Sequence, residues 1–139
     1  MSIELLKKLP TQTEIKADYP VTQKVAQIKA ERDEMIRKVF TGESDKFLVI
    51  IGPCSADNEE AVCEYINRLS RVQEEVADKL ILIPRFYTNK PRTTGAGYKG
   101  ILHQPYTDKK PDLLHGLIDY RQGPMRAIAA TSLTSDHQK

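Results

Sequence analysis

Two short runs of unbroken apolar residues, joined by one amphipathic segment, constrain this chain most. The first run is Phe47, Leu48, Val49, Ile50 and Ile51, ended by Gly52 and Pro53. The second opens with Leu80, Ile81, Leu82 and Ile83 and continues to Tyr87. Continuous rather than alternating apolarity predicts parallel strands covered on both faces. Between them, over residues 57–77, Val62, Tyr65, Ile66, Leu69, Val72 and Val76 recur at intervals of three and four, which predicts a helix with one apolar face. Asp57 and Glu60 have the spacing of a capping box at its start. Strand, helix and strand with short joints make a βαβ unit, so the fold class is α/β with a parallel pair. Pro84 lies inside the second run. Proline donates no ladder hydrogen bond, which predicts a shortened strand or a bulge there.

The flanks are less regular. Residues 1–21 are polar, with Pro10 and Pro20, and read as a mobile or loosely docked arm. Residues 22–40 read as a helix capped by Thr22, with Val25, Ile28, Met35, Ile36 and Val39 on its apolar face and Gly42 as its stop. Residues 101–110 read as a loop. Pro111 and Asp112 can start a helix over Leu113, Leu114, Leu117 and Ile118, which Gly116 weakens by up to about 1 kcal/mol relative to alanine. Gly123-Pro124 is expected to stop it. Residues 125–130 then form a third, poor strand, and the tail TSLTSDHQK is polar and frayed. The division that results is an N-terminal extension over 1–45, arm plus helix, and an α/β part over 46–139.

The 139 residues carry a formal charge of +2, which argues against general nucleic-acid binding. No apolar run approaches the ~20 residues of a membrane span. The first residues, MSIELLKKLPTQTE, have no apolar stretch of signal-peptide length, so the expected location is cytoplasmic. Cys54 and Cys63 form no CxxC pair and need no disulfide in a reducing compartment.

In a parallel sheet the ends of both predicted strands lie side by side, and polar chemistry converges there. After the first strand comes Cys54. After the second come Arg85, Lys90, Arg92 and Thr93. From residue 79 to 107 there are five Lys or Arg and no Asp or Glu. Pro91, Gly95, Gly97 and Gly100 keep this stretch out of regular structure. Such a loop suits phosphate or carboxylate, because Arg offers a planar fork and Lys a point charge. A solvated basic loop is the alternative. Cys54 reads as a metal ligand, a nucleophile, or a small, partly buried thiol. Cys63 lies beside the helix's apolar face and reads as core filler. Tyr87 and Tyr98 flank the loop as packing groups. His103, His115 and His137 have no ligand spacing with Cys54. Gly95-Ala96-Gly97 is neither a P-loop nor a dinucleotide fingerprint.

The motifs IGPCSADN at 51–58 and RFYTNKPRTTGAGYKG at 85–100, with EIKADYPVT from Glu14, resemble the 3-deoxy-D-arabino-heptulosonate 7-phosphate (DAHP) synthases of the feedback-regulated type with an N-terminal extension. The likeness runs to about Arg121. It implies a TIM (β/α)8 barrel. The implied reaction condenses phosphoenolpyruvate with erythrose 4-phosphate and releases phosphate, the first step of the shikimate pathway to aromatic amino acids. It also implies a divalent metal (Mn, Fe, Co or Zn) acting as a Lewis acid on the aldehyde, and a homo-oligomer. Carried over by position, Cys54 matches the metal-binding cysteine of the GPCS motif. Arg85 and Lys90 match the residues that hold phosphoenolpyruvate. Arg92 and Thr93 face the erythrose 4-phosphate end, and Lys90 and Arg92 are the catalytic candidates.

The departures carry weight too. A barrel of this type needs about 250 residues. This chain supplies two clear strands and one poor one, and lacks the family's later His, Glu and Asp ligands. Pro84 replaces the methionine usual before the arginine, and past Arg121, in the stretch Ala129, Ala130, Thr131, Ser132, Leu133 and Thr134, the match decays and a strand-end glutamate is lost. The expectation is the N-terminal part of a barrel, degenerate after about 122 and inactive alone. The alternative is a non-catalytic fragment that associates with a full-length synthase and modulates it.

Overall fold

The computed structural model describes residues 7–89, 96–106 and 109–138. In order these form α1 (Gln12–Asp18), α2 (Gln23–Phe40), β1 (Phe47–Ile51), α3 (Glu59–Val76), β2 (Leu80–Tyr87), α4 (Leu113–Thr131) and β3 (Asp136–Gln138). The strands make one sheet in the order β1-β2-β3, and both pairings are parallel. Val49 lies opposite Leu82 in the first pair, and Arg85 opposite Asp136 in the second.

The βαβ reading holds, and the core grows out of it. Val62, Ile66 and Leu69 on α3 are buried against Leu82 and Phe86 on β2, joined by Ala127 of α4 and by Leu133. Burying one such side chain stabilises by roughly 1.5–3 kcal/mol. Val72, at the same helical spacing, lies 44% exposed, outside that contact. The cap of α3 differs by one residue. Asn58, not Asp57, is extended at the N-cap, and its side-chain oxygen accepts from the Ala61 N–H at 2.9 Å.

β1 departs from the expectation of cover on both faces. Phe47, Ile50 and Ile51 are exposed, because β1 is an edge strand covered only in part: Leu48 and Val49 are half-buried, Val49 against the α3 core, with α2 alongside the strand. Pro84 neither shortens β2 nor bulges it. The β2 carbonyls that face β1 belong to odd-numbered residues: Lys79 accepts from Phe47 N–H and Tyr87 from Ala56 N–H, each at 2.9 Å. The even-numbered residues face the other edge, where β3 pairs only from Arg85 onward. Below that point side chains take the place of a strand. Gln73 donates to the Leu80 carbonyl (2.9 Å) and accepts from the Leu82 N–H (2.7 Å), and Arg32 donates to the Leu82 carbonyl (2.6 Å). The nitrogen of Pro84 falls in this stretch, so no ladder bond is lost.

The flanks bring further corrections. The N-terminal arm contains a helix, α1. Thr11 accepts from the Glu14 N–H at 3.2 Å, and Glu14 accepts from the Thr11 N–H at 2.6 Å, a complete capping box. On α2, Thr22 caps and Gly42 (φ +76°) follows the end as expected. Its buried residues are Val25 and Arg32, whereas Met35 is exposed. Gly123-Pro124 does not stop α4, and residues 125–130 are helix rather than strand. Here tertiary packing overrides propensity. Gly123 lets the Phe86 ring approach to where a Cβ would stand 3.0 Å away, and Ala127 and Ile128 are buried. The helix ends at Ser132, in the left-handed region (φ 57°). The tail is not frayed: Leu133 and Thr134 are buried, and β3 pairs with the end of β2.

Candidate functional site

The C-terminal ends of β1 and β2 meet as the parallel register dictates. Gly52, just past β1, lies against the backbone of Arg85. A Cβ there would stand 2.5 Å from the Arg85 carbonyl oxygen, so only glycine permits this approach. The closeness lets the Arg85 guanidinium reach back across the strand end. Its Nη2 donates to the Pro53 carbonyl at 2.7 Å, and its central carbon lies 5.2 Å from the centre of the Tyr87 ring. Its Nε is buried and has no hydrogen-bond partner among the described residues. Two nearby hydroxyls share that condition, Ser55 Oγ in the turn after β1 and Thr88 Oγ1 just past β2. Thr88 is fully buried.

The segment that leaves β2 returns to the same strand end. Leu102 N–H donates to the Thr88 carbonyl at 3.2 Å. Gly100 (φ +100°) sits so close that a Cβ would lie 2.1 Å from that same oxygen. Tyr98 donates its hydroxyl to the Ala56 carbonyl at 3.4 Å and so ties the returning segment to the turn after β1. Burial, with Asp57 adding to it, pushes the Tyr98 phenol up to about 12.

Of the residues singled out from sequence, Arg85 and Cys54 lie at this edge. Cys54 is exposed rather than partly buried. Lys90, Arg92 and Thr93 lie outside the described residues. Among the described residues no three His, Cys, Asp or Glu side chains converge as a cation site requires, so Cys54 does not make a metal centre with them. Cys63 is half-buried beside the α3 core, and burial pushes its thiol up. The Nδ1 atom of His115 lies 2.6 Å from Asp112 at the start of α4. The latching role of Tyr98 and the buried hydroxyls of Ser55 and Thr88 escaped the sequence reading. A polar residue directly after a buried strand was the available signal for Thr88; nothing marked Ser55, four residues past the end of β1, or the reach of Tyr98 to Ala56.

Residues 18–123 match the profile of the DAHP synthetase I family. The chain belongs to that family. It is similar to the Phe-sensitive phospho-2-dehydro-3-deoxyheptonate aldolase of Escherichia coli K12, with 35% identity over 117 residues, covering 84% of this chain and 33% of the relative. The corresponding aldolase of Corynebacterium glutamicum is 36% identical over 111 residues, or 79% of this chain and 30% of that protein. The chain thus spans about a third of the length of these relatives. The solved structure of phospho-2-dehydro-3-deoxyheptonate aldolase from Francisella tularensis superposes with a TM-score of 0.87 at 24% identity, covering 98% of this chain and 39% of that one. That likeness fixes the fold of this DAHP synthetase I member, an α/β arrangement with parallel strands. No helix among the described residues is long and apolar enough to cross a membrane.

Proposed function

We propose that this chain provides the phosphoenolpyruvate-holding strand ends of a DAHP synthase, the enzyme that condenses phosphoenolpyruvate with erythrose 4-phosphate. One observation carries the reading. Arg85 sits at the end of β2 with a buried Nε that has no acceptor among the described residues. Leaving a buried donor unpaired costs about 1–3 kcal/mol, a cost that a bound carboxylate or phosphate oxygen removes. The Pro53 carbonyl and the Tyr87 ring hold the guanidinium in place and leave its remaining donors for such an anion. In this reading Lys90 joins Arg85 on phosphoenolpyruvate, while Arg92 and Thr93 serve erythrose 4-phosphate. Residues 46–139 are the opening part of a (β/α)8 barrel, with 1–45 as its extension. What these residues do is bind and orient anions. Cys54 alone is no metal site, and the 139 residues by themselves are not expected to turn over.

The test is consumption of phosphoenolpyruvate by the purified chain, with erythrose 4-phosphate and manganese, beside an intact synthase. No turnover with an active control is the expected result, and turnover by the chain alone would refute the division of labour. A second reading, association with a full-length synthase, is favoured by the bare apolar edge of Phe47, Ile50 and Ile51. Co-elution with that enzyme, with altered activity, supports it, and separate elution rules it out.

A further inference from the structure

α2 is long but lightly seated. Of its 18 residues only Val25 and Arg32 are buried, while Ile28, Ile36 and Val39 are half-buried. α3, of the same length, sets Val62, Ile66 and Leu69 in the main core. Beneath α2 the packing is broken on two sides. Toward α4 lies a hollow of about 340 Å³, with Val25 and Lys29 on one wall and Tyr120, Pro124 and Met125 on the other. Toward the sheet lies a second, of about 130 Å³, between Met35 and Ile81. Apolar walls that face a hollow lose the dispersion contacts of a filled interface.

Polar ties are equally sparse. Among the described residues, two α2 side chains bond to another element. Lys24 donates to the Ala129 carbonyl at 3.1 Å in an exposed contact, and Arg32 to the Leu82 carbonyl at 2.6 Å in a buried one. The Arg32 Nε is buried and has no partner among the described residues, and no carboxylate among them pairs with the guanidinium. A cation buried without a counter-charge loses in hydration much of what its hydrogen bond contributes, so this tie is weak. The ion pairs of α2, Lys29–Asp33, Arg37–Glu34 and Arg37–Glu43, stay within the helix and the turn after it. They hold its shape and do not fasten it to the sheet.

We infer that α2 is a strap that lifts from the sheet as a unit while the α3–β2 core stays folded, with Arg32 as its central tie. The hinge is the exposed turn at residues 41–43, where Gly42 (φ +76°) stands in open space. Lifting frees the Leu82 carbonyl and uncovers Ile81. Both lie toward the start of β2, so the device is independent of the strand-end site and of the reaction proposed for it.

The test is hydrogen exchange of the full chain, read by mass spectrometry on peptides from α2 and α3 and corrected for intrinsic rates. The expected result is exchange in α2 about a hundredfold faster than in α3. Arg32→Ala removes the bond to Leu82 and leaves a void, so it should speed α2 about fivefold further and leave α3 unchanged. Met125→Phe, which fills part of the hollow against α4, should slow α2 alone. Equal protection of the two helices in the unmodified chain overturns the inference, because α2 would then open only with the whole fold. So does Arg32→Ala speeding both helices by the same factor. If Arg32→Ala fails to fold, Met125→Phe decides, and α2 exchange that it leaves unchanged or speeds overturns the inference.

Discussion

Gly116→Ala separates local propensity from packing, because the two predict opposite signs. Gly116 lies in the first half of α4. In an exposed helix interior, alanine in place of glycine stabilises by about 1 kcal/mol. Here an added Cβ would stand 2.0 Å from the Leu102 carbonyl oxygen, 2.6 Å from its carbon and 2.8 Å from the Ile101 oxygen. All three neighbours are backbone, so no side chain can swing aside. Relief requires the 101–102 segment to move by more than about 1 Å, against overpacking costs of roughly 1–3 kcal/mol. That movement also strains the Leu102 N–H bond to the Thr88 carbonyl, worth about 1 kcal/mol. With the propensity gain subtracted, the net loss is about 2 kcal/mol. At a urea dependence of about 2 kcal/mol per molar, the unfolding midpoint falls by about 1 M. Equilibrium urea unfolding followed by circular dichroism measures it. A midpoint equal to or above that of the unmodified chain would refute the packing argument and leave helix propensity in charge.

Other consequences can be checked with simple assays. Asn58→Ala should cost about 1 kcal/mol through loss of the α3 cap, whereas Asp57→Ala should cost much less, and the reverse order would return the cap to Asp57. In spectrophotometric titration, Tyr98→Phe should remove a phenolate step near pH 12. Because the folded phenol lies above its ordinary value near 10, its contribution is complete below pH 10 and lost as pH rises toward 12. An unchanged alkaline limb in the variant would contradict that. Iodoacetamide should modify exposed Cys54 well before Cys63, whose thiol is half-buried and pushed up; equal rates, read by mass spectrometry, would contradict this order. Lysine at Phe47 or Ile50 should reduce self-association by charging the open β1 edge, and sedimentation unchanged by either would show that the edge is not sticky.

What the sequence revealed and what it hid divide along physical lines. β1, α3 and β2 were legible because their apolar patterns are long, and the α2 cap at Thr22 because its signal is local. The capping box at Thr11–Glu14 was equally local and was overlooked behind the polar composition around it. α4 was misread because Gly123-Pro124 is a strong local stop, whereas what carries the helix through it is non-local: the Phe86 ring against Gly123 and the burial of Ala127 and Ile128. Pro84 was misjudged for the same reason, since only the short reach of β3 explains why its missing donor is harmless. β3 itself could not be seen, because three residues of polar sequence carry no periodicity. At the site, Arg85 and Cys54 could be named from motif and strand end. The unpaired state of the Arg85 Nε, on which the functional reading turns, appears only once Gly52 and Pro53 are packed against it.

The most direct test is calorimetric titration of the purified chain with phosphoenolpyruvate, beside Arg85→Gln. The account predicts saturable binding by the unmodified chain, weakened at least tenfold, or about 1.4 kcal/mol, in a variant whose circular dichroism is unchanged. Equal binding by both proteins would contradict it, because Arg85 would then not be the group that meets the anion.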